Sequence, residues 1–160
     1  MKIESAAPTK KFMNAKAVHK VIKEFALVPR KQVRVVLVDN RYDNMCGMLD
    51  IMLEWPNIFV AVIELTTVRH PNIDHKIDDI VLLSEELGEM TGARIAEQLR
   101  KDGFPGILAS THPGDTCPPA FSSQRHFGHK MAISKSYKAT AYFVIWLSKM
   151  IEEVEHDRMD

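Results

Sequence analysis

The chain contains little that would take it out of the ordinary class of soluble globular proteins. It has two cysteines, Cys46 and Cys117, far apart among 160 residues, so we expect reduced thiols and no disulfide framework. No signal-peptide pattern is present, and no apolar run approaches the roughly 20 residues that a transmembrane helix needs. We therefore expect a cytoplasmic protein. A hydrophobic content of 46% and a charged content of 26%, without repeats or low-complexity segments, predict one globular domain.

The net charge of zero hides an uneven distribution along the chain. Residues 1–34 carry nine Lys/Arg and two Glu, a net of +7, which leaves −7 for the rest. A basic arm can bind nucleic acid or an acidic protein partner, or it can be a solvated helix face. The solvated face is the favoured interpretation, because the cations are scattered and no aromatic stacking platform accompanies them.

Hydrophobic periodicity predicts alternating helices and strands. Apolar residues between positions 12 and 27 recur at three- and four-residue spacing, which predicts an amphipathic helix before Pro29. Further helices are predicted near residues 45–53, 93–101 and 138–155. Short apolar runs typical of buried strands occupy residues 33–38, 58–65, 80–83, 106–110 and 131–134.

This alternation predicts an α/β fold with a five-stranded, doubly wound parallel sheet. The right-handed crossover rule favours the flavodoxin-like strand order 2-1-3-4-5. We expect a basic arm and amphipathic helix at residues 1–32, the sheet domain at 33–153 and a C-terminal tail at 154–160. The Pro-rich stretch at 112–130 replaces the segment in which a fourth helix would be expected.

Polar side chains follow the predicted strands at the edge where such sheets place their chemistry. Asp39 and Asn40 follow the first strand, and Ser84 follows the third. Ser110 follows the fourth strand, and Lys135 follows the fifth. We therefore expect these five residues to lie close together.

These strand ends carry a family resemblance over residues 33–153. The segments that match, in order and spacing, are VVLVDN, DIVLLSEELGEMTG, ILAST and GHKMAISKSY. Together they resemble the receiver domain of two-component response regulators. The resemblance implies an acidic pair that binds magnesium after the first strand, an Asp phosphoacceptor after the third, a switch hydroxyl after the fourth and a lysine before a cis-Pro after the fifth.

The departures from this pattern bear on the chemistry. Ser84 stands at the phosphoacceptor position, and a hydroxyl cannot form an acyl phosphate. Asn40 replaces the second acid of the metal pair, so only Asp39 remains charged there, whereas a hard divalent cation prefers more carboxylate ligands. Ser136 stands where the cis-Pro is expected, and Ala132 where an aromatic residue is common. The resemblance is therefore to a degenerate pseudo-receiver.

Metal and cofactor expectations follow from these departures. We expect no cofactor, with Asp39 and Glu86 as weak candidates for residual magnesium binding, and an ion pair between Lys135 and Asp39 in place of the metal. The only other ligand-type cluster in the sequence comprises His112, Cys117, His126 and His129. Its spacing matches no compact zinc pattern, so polar surface is the favoured interpretation.

The first functional hypothesis is a non-enzymatic pseudo-receiver that acts through protein–protein contact in a two-component-type pathway, as a homodimer or docked to a partner. The alternatives are a nucleic-acid-associated regulator that uses the basic arm, and a metal-dependent phosphoreceiver or divergent enzyme. The candidate interaction surfaces are the N-terminal amphipathic helix, the segment 112–130 and the apolar C-terminal helix. The candidate contact residues on the two helices are Val18, Ile22, Phe25, Phe143, Trp146 and Met150.

Overall fold

The computed structural model describes residues 32–64, 72–133 and 135–159. The predicted helix at 12–27 lies outside these ranges. The described strands are β1 (Val33–Asp39), β2 (Ile58–Glu64), β3 (Ile80–Leu83), β4 (Glu86–Leu87), β5 (Met90–Thr91) and β6 (Ile107–Ser110). The described α-helices are α1 (Cys46–Met52), which follows a 3-10 turn at Tyr42–Met45, α2 (Gly92–Lys101) and α3 (Tyr137–Met159).

The main sheet has four parallel strands in the order β2-β1-β3-β6. This order is the predicted 2-1-3-4 arrangement, and it confirms the α/β, flavodoxin-like fold class. The central strands are buried on both faces, as expected for parallel strands covered by helices. A separate two-stranded antiparallel hairpin, β4-β5, turns at Gly88, whose φ of 76° favours glycine.

Side chains of the sheet alternate between two apolar clusters. Val35 and Leu37 of β1 pack with α1 and α3 on one face, whereas Val36 and Val38 pack with α2 on the other. The residues that α1 and α3 contribute include Met48, Met52, Phe143, Leu147 and Ile151. Burial of these apolar surfaces is the main favourable term that holds the sheet between its helices.

The predicted fifth strand at 131–134 is wrong for the residues that the structure describes there. Lys130–Ala132 forms a 3-10 turn, and Ser134 lies outside the described residues. A single parallel bridge between Ser110 and His126 takes the place of the strand, with the backbone N–H of Phe127 donating to the Ser110 carbonyl at 2.9 Å. The turn occurs because the Lys130 side chain points into the buried edge of the sheet.

The chain between β6 and α3 is irregular, as predicted for the fourth-helix region. Among the described residues from 111 to 133, the only helical pieces are the 3-10 turns Ser123–Arg125 and Lys130–Ala132. In the described ranges, no helix is both long enough and apolar enough to cross a bilayer.

The predicted boundary at residue 153 does not coincide with the end of α3. The helix continues to Met159, and Val154 is buried in the core. Beyond it, an Arg158 Nη2 atom lies 2.5 Å from Asp79 Oδ2. The predicted tail at 154–160 therefore begins inside α3, where one apolar side chain and one ion pair bind the helix end to the sheet.

We expect Val154→Ala to lower the free energy of unfolding by about 1–2 kcal/mol, because it removes two buried methyl groups. The matched control is Glu152→Ala in the same turn, an exposed position that should stay within about 0.5 kcal/mol of wild type. Urea denaturation followed by circular dichroism measures both. Equal stability of the two variants would show that residues after 153 behave as the predicted tail.

Candidate functional site

Three side chains from different strands meet at the carboxyl edge of the sheet. Asp39 ends β1, Ser84 follows β3 and Ser110 ends β6, and their residues are 1%, 5% and 0% exposed. The parallel register that pairs Val38 with Leu83 and Leu83 with Ser110 brings these ends to one level. The strand order therefore brings Asp39, Ser84 and Ser110 together at this edge, as the sequence predicted.

The lysine of this site is Lys130. Its ammonium nitrogen lies 2.7 Å from Asp39 Oδ2 and 3.0 Å from Ser84 Oγ, and the side chains of Lys130 and Asp39 are each 1% exposed. Lys135, which was predicted to pair with Asp39, is exposed and lies beyond the 3-10 turn. That prediction is wrong, because it assumed a strand at 131–134 that would have carried position 135 to the sheet edge.

The sequence held only a weak signal for Lys130. Two lysines flank the apolar triplet at 131–133, and only the backbone between them decides which one reaches the acid. A strand would send Lys135 to the edge, whereas the observed turn sends Lys130 there. A lysine five residues before the expected one, directly after Gly128-His129, was the available clue.

The other groups around Asp39 leave it as a single buried carboxylate. Its Oδ1 accepts a hydrogen bond from the backbone N–H of Arg41 at 3.2 Å. Asn40 is half-buried at the bend after β1 and adds no charge. The nearest acid in sequence, Asp43, is exposed and ion-paired with Arg41, whose hydrogen bonds hold the pKa of the Asp43 carboxyl below its usual value.

The two glutamates after Ser84 serve the local backbone or face solvent. Glu85 Oε1 accepts the backbone N–H of Ala93 at 2.8 Å, which satisfies one of the free donors at the start of α2. Glu86, the weak metal candidate, is exposed in β4. Glycine is required at position 92, the first residue of α2, because a Cβ there would lie 2.2 Å from the Ser84 carbonyl oxygen.

Ser110 is hydrogen-bonded to His126. The sequence had indicated this histidine only as a member of a zinc cluster whose spacing matched no known pattern. Ser110 Oγ lies 3.1 Å from His126 Nδ1, and His126 Nε2 lies 2.8 Å from the Gly114 carbonyl oxygen. Because a carbonyl can only accept, Nε2 donates a hydrogen bond to the Gly114 carbonyl, and Nδ1 shares a second hydrogen bond with the Ser110 hydroxyl. Ser110 Oγ also accepts the backbone N–H of His112 at 3.2 Å.

The remaining members of the cluster make contacts of their own. The Cys117 thiol points at the Phe121 carbonyl, with 3.3 Å between sulfur and oxygen, and His129 packs edge-on against the Phe127 ring. In the part of the chain that the structure describes, no three His, Cys, Asp or Glu side chains lie together as a metal-binding group would require. The absence of a cofactor stays a prediction.

The predicted contact residues differ in how far the structure exposes them. Val18, Ile22 and Phe25 lie outside the described residues. Phe143 and Met150 are 0% and 1% exposed, so their assignment to an interaction surface is wrong. They belong to the core because α3 packs a wide arc of its surface on the sheet. Only Trp146 is partly exposed, with its Nε1–H donating to the Gln124 carbonyl at 2.9 Å.

The arrangement can hold a charge pair but offers no free carboxylate. Asp39 is neutralised by Lys130, and the acceptor position carries the Ser84 hydroxyl, which accepts a second hydrogen bond from the same ammonium group. The carboxylate that these three strand ends supply is therefore the ion-paired group of Asp39.

We expect Lys130→Met to destabilise the fold by about 3–5 kcal/mol, because it leaves the Asp39 carboxylate buried without a counter-charge. The control Lys135→Met changes an exposed lysine and should stay within about 0.5 kcal/mol of wild type. The double variant Asp39→Asn/Lys130→Met should recover part of the loss. Chemical denaturation measures all three, and equal effects at the two lysines would contradict the assignment.

Comparison with known proteins gives structural likeness alone. No family model matches the chain, and no curated protein matches it. The response regulator ChrA of a heme-sensing two-component system is similar at 15% identity and a TM-score of 0.46. The match covers 79% of this chain and 65% of ChrA, so this chain spans less than two thirds of the length of ChrA. The signal receiver domain of the response regulator NarL from Mycobacterium tuberculosis is similar at 16% identity and a TM-score of 0.47, over 74% of this chain and 98% of that one. The flavodoxin-like fold of this chain follows from the observed strand order.

Proposed function

We propose that the chain is a receiver-like signalling module that works without phosphoryl transfer, by contact with another protein, in a two-component-type pathway. The observation that supports it most is the position of the Lys130 ammonium between Asp39 and Ser84. It makes the strand-end pocket a closed, neutral cluster. The module is non-enzymatic in this proposal, because no side chain in the cluster is available as a nucleophile or as a base.

The first support concerns the phosphoacceptor. Receiver chemistry, as the resemblance implies it, needs a carboxylate that forms an acyl phosphate. Ser84 could give only a stable phosphoester, and its residue is 5% exposed, with Oγ already accepting a hydrogen bond from Lys130. A buried, hydrogen-bonded hydroxyl without a neighbouring base is a poor nucleophile.

The second support concerns the metal. A magnesium ion requires several oxygen ligands and usually one or two carboxylates. Of Asp39, Ser84 and Ser110, only Asp39 carries a carboxylate, and one of its oxygens is 2.7 Å from an ammonium group. An incoming cation would have to displace Lys130 from a buried ion pair, which would leave that ammonium without its counter-charge.

The closed pocket limits the kind of partner that this module can bind. Because the pocket is closed, the module would signal by binding a partner at its surface. The packed core keeps the geometry of that surface constant. The predicted homodimer stays a prediction, as does the protein partner. The nucleic-acid alternative depends on the basic arm at 1–32, nearly all of which lies outside the described residues, and no observation in the described part favours it.

Incubation with acetyl phosphate or beryllofluoride and magnesium tests the proposal directly. We expect no gain of a phosphoryl mass by intact-protein mass spectrometry and no change in tryptophan fluorescence, because no carboxylate is free to react. Ser84→Ala is the matched variant and should behave in the same way. A receiver domain with an intact phosphoacceptor serves as the positive control for the reagents.

Two results would overturn the proposal. A hydroxylamine-labile adduct on the wild-type chain would show that a carboxylate still takes a phosphoryl group. An adduct on wild type that is lost in Ser84→Ala would show that the serine hydroxyl has become the acceptor.

A further inference from the structure

Strand β2 forms one edge of the main sheet, and its outer side pairs with no strand in the part of the chain that the structure describes. It is seven residues long and pairs with β1 in unbroken register from Ile58 to Glu64, so it contains no bulge. Its sequence, IFVAVIE, has no proline and no charge before the final Glu64. Proteins usually protect an edge strand by short length, charged residues, proline or a bulge, because its free N–H and C=O groups pair readily with another strand. The edge of β2 lacks each of these protective features.

The backbone of β2 places regularly spaced hydrogen-bonding groups on that outer side. The N–H of Val33 donates to the Asn57 carbonyl oxygen at 3.0 Å, so the odd-numbered residues of β2 are those whose backbone groups face β1. The backbone N–H and C=O groups of Val60 and Val62 therefore point away from β1. Each of these two residues carries one donor and one acceptor on the side where a further strand would lie.

The side chains of β2 are partly exposed on both faces of the sheet. Val60 and Val62 lie on the face that α1 and α3 cover, and each is only partly buried. Ala61 and Ile63 lie on the face that α2 covers, and they too are only partly buried. Phe59 is 44% exposed. A strand added beside β2 would therefore bury apolar surface on both faces at once.

We propose that β2 is the dimer interface of this chain, where it pairs in antiparallel orientation with β2 of a second copy across a two-fold axis at Ala61. In this register Val60 and the partner's Val62 exchange both of their backbone hydrogen bonds, and the two Ala61 residues form a non-hydrogen-bonded pair. The two four-stranded sheets become one sheet of eight strands. The contact is isologous, as in most homodimers.

The sequence of β2 favours a second copy as the occupant because it complements itself in this register. Phe59 lies opposite the partner's Ile63, and aromatic and β-branched pairs stabilise antiparallel strands. Glu64 lies opposite the partner's Ile58, so the two Glu64 side chains lie at opposite ends of the interface, about 20 Å apart. No like charges face each other along the paired strands. A charged partner strand, by contrast, would find no counter-charge between Ile58 and Ile63.

This inference does not rest on the ion pair of Lys130 and can hold or fail independently of the proposed function. Its consequence concerns the rest of the surface. Strand β6 and the irregular segment that follows it lie at the opposite edge of the sheet. Dimerisation through β2 would therefore leave that edge accessible to another protein.

Disulfide trapping tests both the interface and its register. In a full-length chain with Cys46→Ser and Cys117→Ser, Ala61→Cys should give a cross-linked dimer under mild oxidation. The Cα atoms of a non-hydrogen-bonded pair lie about 4.5 Å apart, which is within the range of a disulfide. Phe59→Cys in the same background is the matched control. Its two copies would lie about 14 Å apart, so we expect at least tenfold less cross-linked dimer on a non-reducing gel.

Charge substitution on the axis provides a second, non-covalent arm of the test. Ala61→Lys and Ala61→Glu each place two like charges opposite one another, which should raise the dimer dissociation constant at least tenfold in light scattering. An equimolar mixture of the two variants should recover the dimer, because the charges on the axis are then opposite. Met131→Lys changes an exposed apolar residue outside β2 and should leave the dimer unchanged. Thermal unfolding checks that all variants are folded.

The inference fails on any of three results. A wild-type chain that stays monomeric at the highest concentration measured would show that no second copy pairs with β2. Equal cross-linking at positions 59 and 61 would contradict the two-fold axis at Ala61. A dimer that both Ala61→Lys and Ala61→Glu leave intact would place the interface on another part of the surface.

Discussion

The rest of the structure depends on one buried ion pair. Lys130 and Asp39 have side chains that are each 1% exposed, and neither charge can remain in the interior without the other. Asp39 is placed by the central strand β1. Lys130 must therefore approach the end of that strand, and this requirement turns the chain at Lys130–Ala132 where a strand was expected. Four residues earlier, the hydrogen bonds of His126 to Ser110 and Gly114 bind the same segment to the end of β6.

This constraint connects the fold to its proposed role. The ion pair closes the strand-end pocket, and beyond the single bridge at His126 the outer edge of β6 has no paired strand within the described residues. The closed pocket supports the proposed role without phosphoryl transfer. Both features follow from where the segment between β6 and α3 lies.

The sequence predicted the parts that depend on continuous apolar runs. The run at 80–83 could only be a buried strand, and the order of the first four main strands follows from the crossover rule. The lysine could not be predicted, because Lys130 and Lys135 flank the same short triplet and only tertiary structure selects between them. Phe143 and Met150 were misplaced because the apolar first half of α3 does not show which arc faces the sheet. The predicted helix ended at residue 155, four residues before the end of α3, because the residues after Glu155 are mostly polar and give no apolar periodicity.

The central claim is that Lys130 is buried on Asp39 while Lys135 is exposed. Amine-reactive labelling of the native full chain, followed by peptide mass mapping, tests it most directly. The account predicts that Lys135 is modified rapidly under native conditions and that Lys130 is modified only after denaturation. Modification of Lys130 at the same native rate as Lys135 would contradict the ion pair, and with it the closed pocket from which the proposed function is argued.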